Sequence, residues 1–92
     1  MAQGVETFEA AEKTIITATT LIKTTRGKVA RVLVVAGTGQ IDVYDTAAAD
    51  TSNQVFSKAV TAVGDIYALN CPLNSGLRVV MAGAGQLCVT YS

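Results

Sequence analysis

Short runs of β-branched and other apolar residues, each followed by glycine, proline or small polar residues, recur along this chain of 92 residues. Because β-branched side chains fit a pleated sheet and lose rotamer freedom in a helix, the runs predict strands. We expect about seven strands, and their close spacing is typical of a β-sandwich. The predicted strands cover residues 14–22, 28–36, 40–45, 54–57, 65–69, 77–82 and 86–91, with a loop at 47–53 and breaks at Pro72 and 74–76.

A ten-residue segment is repeated later in the chain. Residues 34–43 (VVAGTGQIDV) and 80–89 (VMAGAGQLCV) share six identical positions at an offset of 46. Glycine tolerates the positive φ of a tight turn, so each copy predicts a hairpin that turns at its Gly-x-Gly sequence. Paired hairpins from the two halves of the chain predict two facing sheets around one core. The expected fold is therefore all-β, a small sandwich with jelly-roll-like character.

The predicted strand 28–36 is apolar on both faces, with Arg31 as the exception. A strand of this kind is usually covered on both sides, here by its own core and by a second partner. We therefore place Val32 and Val34 at a subunit contact, together with Tyr44 of the next strand. The two predicted faces are Val29, Leu33 and Val35 on one side and Ala30, Val32 and Val34 on the other, while Ile41 and Val43 of the next strand face in.

Charged residues are scarce. Seven Lys and Arg balance seven Asp and Glu, and together they make 15% of the chain, whereas an average soluble domain is about 25% charged. The apolar fraction of 50% excludes an intrinsically disordered chain, and the lack of a basic excess argues against nucleic-acid binding. A free monomer of this composition would expose apolar patches, so self-assembly or docking on another protein is expected.

No residue pattern predicts catalysis. The chain has no His, the commonest general base and metal ligand, and nothing would activate its hydroxyl groups. Neither Gly-x-Gly sequence has the third glycine and the helix of a phosphate site. Asp42, Asp45 and Asp50 lack the spacing of a calcium loop and are expected to be solvated. Cys71 and Cys88 are expected to be buried free thiols, with a disulfide as the alternative. We expect no enzyme, no cofactor and no metal.

Charge is segregated along the chain. Residues 1–12 contain three Glu and no cation, whereas residues 13–31 contain five Lys and Arg and no anion. We expect an N-terminal acidic arm at 1–12 and the β-sandwich domain at 13–92. The arm has neither the basic start nor the apolar run of a secretion signal, and no apolar stretch is long enough to span a membrane. A cytosolic origin and no membrane partner are therefore expected.

The acidic arm is a candidate anchor. Its Phe8 lies outside the strand pattern and would fill an apolar pocket on a neighbouring copy or another subunit, while Glu9 and the flanking Glu6 and Glu12 meet basic residues. Carboxylates at the rim of a contact mainly steer binding and are screened by salt. Two simpler interpretations stay open, a solvated acidic face and a terminus without a role.

Several motifs occur in an order that resembles small virion structural proteins of tailed bacteriophages. They are a Val-Tyr-Asp strand at 43–45 followed by a loop of small residues, an Asn-Ser-Gly-Leu segment at 74–77 and a final Val-Thr-Tyr strand at 89–91. The resemblance covers about residues 28–92 and leaves out the acidic arm. It implies a compact β-sandwich module, commonly trimeric, without an active site.

The resemblance implies a place on the virion, after synthesis in the host cytoplasm. The first hypothesis is a capsid decoration or cement protein, which forms an oligomer and binds the major capsid protein at the capsid surface. The alternative is a head-fibre, tail or receptor-binding module that attaches to a host surface. A long shaft or an elaborate tip would need more sequence than is present here, so decoration is preferred.

Overall fold

The computed structural model describes residues 12–37 and 39–92, and within them the chain forms eight β-strands and no helix. They are β1 (Glu12–Ile16), β2 (Thr20–Lys23), β3 (Gly27–Ala36), β4 (Ile41–Tyr44), β5 (Gln54–Lys58), β6 (Ile66–Leu73), β7 (Leu77–Met81) and β8 (Gln86–Tyr91). The all-β prediction is confirmed. There are eight strands rather than about seven, because the predicted strand 14–22 is divided. β1 begins at Glu12, the last residue that we assigned to the acidic arm.

The strands form two four-stranded antiparallel sheets. Sheet one has the order β1-β8-β3-β6, and sheet two has the order β2-β7-β4-β5. Each strand therefore pairs with its counterpart from the other end of the described chain, β1 with β8, β2 with β7, β3 with β6 and β4 with β5. This nested pairing is the arrangement of an eight-stranded jelly roll, so the predicted sandwich is confirmed.

The inner faces of the two sheets share one hydrophobic core. Sheet one contributes Ile16, Val29, Val32, Val34, Leu73, Leu87 and Val89, and sheet two contributes Ile41, Val43, Leu77, Val79 and Met81. Ile41 and Val43 face in, as predicted. At one edge of the sandwich, Phe56 of β5 contacts Tyr67 of β6, with ring centroids 5.2 Å apart. Removal of this apolar surface from water is the main force that holds the sheets together.

The chain passes from sheet one to sheet two at residues 17–19, in the middle of the predicted strand 14–22. The hydroxyl oxygen of Thr19 accepts a hydrogen bond from the backbone N–H of Met81 at 3.1 Å. The same hydroxyl donates to the Met81 carbonyl oxygen at 3.5 Å. The side chain of Thr19 thus replaces a backbone partner at the end of β7. The prediction of one strand is wrong because β-branched residues continue through the crossing.

The repeated segments also carry the chain between the sheets. One leads from β3 in sheet one to β4 in sheet two, and the other leads from β7 in sheet two to β8 in sheet one. The predicted hairpins are therefore wrong. The two turns contact each other, since the Gly39 N–H donates to the Ala82 carbonyl at 3.1 Å. A Cβ on Gly39 would lie 2.6 Å from that oxygen, so glycine is needed here for the close approach of the two turns. Gly83 is needed for a different reason, since its φ of 99° is a conformation that other residues rarely adopt.

Two bulges in β3 decide which of its side chains face the core. Relative to β8, Ala30 and Val35 are extra residues. A bulge shifts the alternation of faces, so Val29 points into the core together with Val32 and Val34, whereas we predicted it on the opposite face. The outward side chains are those of Lys28, Arg31, Leu33 and Val35.

Pro72 lies inside β6 and does not end it. β6 is an edge strand of sheet one, where a proline is tolerated because one side of the strand makes no ladder hydrogen bonds. Asn70, with a φ of 45°, lies where the register between β6 and β3 shifts. The predicted break at Pro72 is therefore wrong, and the predicted break at 74–76 is confirmed.

Candidate interaction surface

The outer face of sheet one carries an apolar row that crosses all four strands. The register places Ile15 of β1 opposite Cys88 of β8, and Cys88 opposite Leu33 of β3. Leu33 in turn lies opposite Ile66 of β6. Adjacent strands are about 4.8 Å apart, so the row spans about 14 Å without a gap. We refer to these four residues as the apolar row.

The apolar row is open to solvent at both ends. Ile15 is 54% exposed and Ile66 is 61% exposed, whereas Leu33 and Cys88 are half-buried between them. Val35, at the second bulge of β3, adds a further side chain that is 41% exposed. Ile15, Val35 and Ile66 are therefore the most exposed side chains of this group. Contiguous exposed apolar surface is a common feature of protein-binding sites, so this strip is the candidate interaction surface.

The loop between β5 and β6 extends the apolar surface at one end of sheet one. Its Val60 and Val63 are both 70% exposed. The loop is fixed next to β3, because the N–H of Val34 donates to the Asp65 carbonyl at 2.8 Å. The Asp65 carboxylate also accepts the hydroxyl of Tyr67 at 2.9 Å. Burial and this hydrogen bond raise the pKa of Tyr67, which therefore stays neutral at physiological pH.

A cationic row lies beside the apolar row on the same face. The register aligns Lys13 of β1, Thr90 of β8, Arg31 of β3 and Ala68 of β6. Neither Lys13 nor Arg31 is in an ion pair with another described residue. The outward positions of these four strands, as far as the structure describes them, hold three cations, Lys13, Lys28 and Arg31, and no carboxylate. The outer face of sheet one therefore suits a partner that is both apolar and acidic.

The outer face of sheet two is polar by comparison. The carboxylate of Asp42 accepts hydrogen bonds from Gln40 at 3.1 Å and from Gln54 at 3.0 Å. Arg78 donates to the backbone carbonyl of Asp50 at 2.6 Å, which ties the loop between β4 and β5 to this face. Asp42 and Arg78 thus already have hydrogen-bond partners within the chain. The two sides of the sandwich differ in chemistry, and the apolar side is the candidate interaction surface.

The predicted interface residues are not brought together. Val32 and Val34 are 0% and 1% exposed in the core, because the bulge at Ala30 turns them inwards. Tyr44 is on the outer side of sheet two next to Arg78 and is only 8% exposed. These three assignments are corrected, since a side chain buried in its own chain cannot contact a partner. Phe8 and Glu9 lie outside the described residues.

None of the four residues of the apolar row is among the predicted contact residues. Ile15 was treated as part of one long strand, and Cys88 was expected to be buried. Leu33 was placed on the same face as Val29, which in fact lies in the core. The alternation in β3 did suggest two apolar faces. Cross-strand register, which aligns the row, has no signal in a single sequence.

Asp45 forms a clamp between two distant parts of the chain. Its carboxylate accepts backbone N–H groups from Asn74 at 2.9 Å, Ser75 at 2.8 Å and Gly76 at 3.2 Å. Burial by itself raises the pKa of Asp45, but these three hydrogen bonds outweigh it and lower the pKa below its ordinary value. The prediction of a solvated Asp45 is wrong, since the residue is 7% exposed. The Val-Tyr-Asp and Asn-Ser-Gly-Leu motifs therefore meet at this clamp.

The other candidate chemistry is not assembled. Cys71 and Cys88 are both free and half-buried, so the prediction of free thiols is confirmed and that of full burial is wrong. In the described part of the chain, no group of three or more His, Cys, Asp or Glu side chains could hold a metal ion. The same residues include no helix with the length and hydropathy of a membrane span.

Comparison of this chain with protein-family models, with curated proteins and with solved structures finds no match.

Proposed function

We propose that this protein is a non-enzymatic structural component of a tailed-bacteriophage virion. It assembles as an oligomer, with a trimer as the expected state, and decorates or cements the capsid exterior by binding the major capsid protein. The observation that carries the proposal is the apolar row on the outer face of sheet one. Exposed apolar surface rimmed by polar residues is typical of assembly contacts, and Lys13 and Arg31 border this row.

The fold is compatible with this role, but it is equally compatible with other roles. Jelly rolls occur in viral capsid domains and also in lectin and cupin domains, so the architecture alone leaves several functions open. The virion assignment depends on the motif order at 43–45, 74–77 and 89–91. The contact between Asp45 and residues 74–76 gives two of these motifs a role in stability, as expected for a structural protein.

The state of the carboxylates supports a non-enzymatic role. The pKa of Asp50 is lowered, first by the backbone N–H of Ser52 and then by the hydroxyls of Thr46 and Ser52. The pKa of Asp45 is lowered as well. A general base works best when its pKa is near the operating pH, so both groups are poorly suited to proton transfer. Each instead accepts hydrogen bonds that fix a loop.

Self-association tests the assembly part of the proposal. We expect wild-type protein to sediment as an oligomer at micromolar concentration, and Ile66→Glu to sediment as a folded monomer, because a carboxylate at the end of the apolar row would lose its hydration on assembly. Leu21→Glu is the matched control, since Leu21 is exposed on the outer face of sheet two. This variant should assemble as the wild type does. A monomeric wild-type protein would overturn the proposal.

Particle composition tests the virion part. We expect mass spectrometry of purified particles to find the chain at a copy number comparable to that of the major capsid protein. A copy number far below this, at a single vertex, would instead support the alternative, a head-fibre or tail module. Absence of the chain from purified particles would overturn both.

A further inference from the structure

We propose that the outer face of sheet one receives the N-terminal segment, residues 1–11, of a second copy of this chain. In this arrangement Phe8 packs on the apolar row, and Glu6 and Glu9 lie near Lys13 and Arg31. The inference rests on the proposed assembly and names the contact through which it occurs.

Chemical complementarity identifies the segment as the occupant. Residues 1–11 contain Phe8 together with five smaller apolar side chains, and their only charged side chains are those of Glu6 and Glu9. The receiving face offers an apolar strip next to two cations that have no described acidic partner. A second sheet-one face would instead bring like charges together, which disfavours direct packing of two such faces.

The limit of the segment is set by β1. Glu12 is paired with Tyr91 across β1 and β8, and the Tyr91 hydroxyl donates to its carboxylate at 3.5 Å. Burial, followed by this acidic neighbour, raises the pKa of Tyr91. Glu12 therefore belongs to the sandwich, and the part of the predicted arm that is left to reach a partner is residues 1–11.

Chain length favours a second copy over the same chain. Phe8 is four residues before Glu12, and a reversal of chain direction uses about four residues. On its own sandwich Phe8 would therefore come level with Lys13 at the edge of the sheet. It would fall short of Leu33 and Cys88 in the middle of the row, which lie further along β1 and one to two strands inwards.

A segment from a neighbour has no such limit. Eleven extended residues reach at most about 36–40 Å, which is more than twice the width of about 14 Å that we estimate for sheet one. Each subunit would give one segment and receive one, an exchange that a closed ring of three subunits satisfies.

Cys88 allows a direct test, because it is a member of the apolar row. In a Cys71→Ser background, Phe8→Cys should form a disulfide with Cys88 of another subunit when the assembled protein is oxidised with diamide. Non-reducing electrophoresis should then show covalent species larger than a monomer. They should disappear when Cys88→Ser is added. A control with Thr51→Cys in place of Phe8→Cys, on the exposed loop after β4, should give no such cross-link.

Deletion gives a second, independent readout. Removal of residues 1–11 should weaken self-association about tenfold or more, as for loss of an interface hot spot, and leave the thermal unfolding of the sandwich nearly unchanged. An oligomer that survives the deletion and gives no cross-link overturns this inference and leaves the proposed function standing. A disulfide that stays within one chain also overturns it. A wild-type protein that is monomeric overturns both.

Discussion

Val32 and Leu33 are consecutive in β3, yet Val32 is completely buried in the core and Leu33 lies on the outer face of sheet one. Val32→Glu would leave a carboxylate without a partner in the core, at a cost comparable to the whole stability of a small domain. We expect this variant to be unfolded. Leu33→Glu should remain folded and fail to assemble. Circular dichroism and sedimentation of the two variants check this, and loss of folding in both would contradict the assignment of the faces.

The Asp45 clamp predicts a specific loss of stability. Asp45→Asn replaces a charged acceptor by a side chain with only one acceptor oxygen, so the free energy of unfolding at neutral pH should fall by about 2 kcal/mol. Asp42→Asn is the control, because among the described residues Asp42 accepts only from glutamine side chains, and it should change this free energy far less. Urea unfolding of the three proteins measures both effects. Equal losses of unfolding free energy in the two variants would show that the Asp45 clamp stabilises the fold no more than the Asp42 hydrogen bonds do.

The same clamp predicts how stability depends on pH. The pKa of Asp45 is lowered on folding, so its contribution is fully present above the unfolded-state pKa of about 3.9 and is lost as the pH falls through the folded-state pKa. We expect the difference between wild-type protein and Asp45→Asn to shrink when urea unfolding is repeated at progressively lower acidic pH. A difference that stays constant with pH would contradict the assignment.

Gly76 is predicted to be intolerant of a side chain. A Cβ at this position would lie 2.5 Å from the carbonyl oxygens of both Lys23 and Thr46, and backbone on two sides cannot move away easily. Gly76→Ala should therefore lower the free energy of unfolding by about 1–3 kcal/mol. Gly37→Ala, whose Cβ would be 3.4 Å from its nearest neighbour, is the matched control. Thermal unfolding compares the two, and similar midpoints would contradict this prediction.

The two cysteines are predicted to stay reduced within one chain. Cys71 pairs with Val29 and Cys88 pairs with Leu33, so β3 separates the two thiols, which also face opposite sides of sheet one. A disulfide needs Cα atoms within about 7 Å, whereas strands two apart are separated by about 10 Å. Thiol titration of denatured, non-reduced protein should give two free thiols per chain. A value near zero, with monomeric mobility on a non-reducing gel, would contradict the register.

The sequence predicted the fold class because strand composition and alternation are local properties. The last strand, 86–91, coincides with β8, and Ile41 and Val43 do face the core. The crossing at Thr19 could not be predicted, since it depends on a hydrogen bond with Met81, which is far away in the chain. The strand through Pro72 was missed for a related reason, because only sheet order shows that β6 is an edge.

The candidate surface was harder to predict than the fold. Scarcity of charge indicated that some apolar face exists, but one inserted residue, Ala30, decides which side of β3 faces the core. The sequence contains no mark of that bulge. Asp45 was judged to be solvated for the same kind of reason, because the three N–H groups that surround it come from another part of the chain.

The nested order of the strands also has a consequence for synthesis on the ribosome. Among the described strands, β1 pairs with β8 alone, so the first of these strands cannot pair until the last one has been synthesised. A nascent chain can close the β4–β5 hairpin early, but sheet one is incomplete until Gln86 and the residues after it have emerged. Products of premature termination before β8 would leave β1 without its partner and β3 with an unpaired edge, and such edges promote aggregation. Translation through Tyr91 is therefore a condition for a complete sheet one.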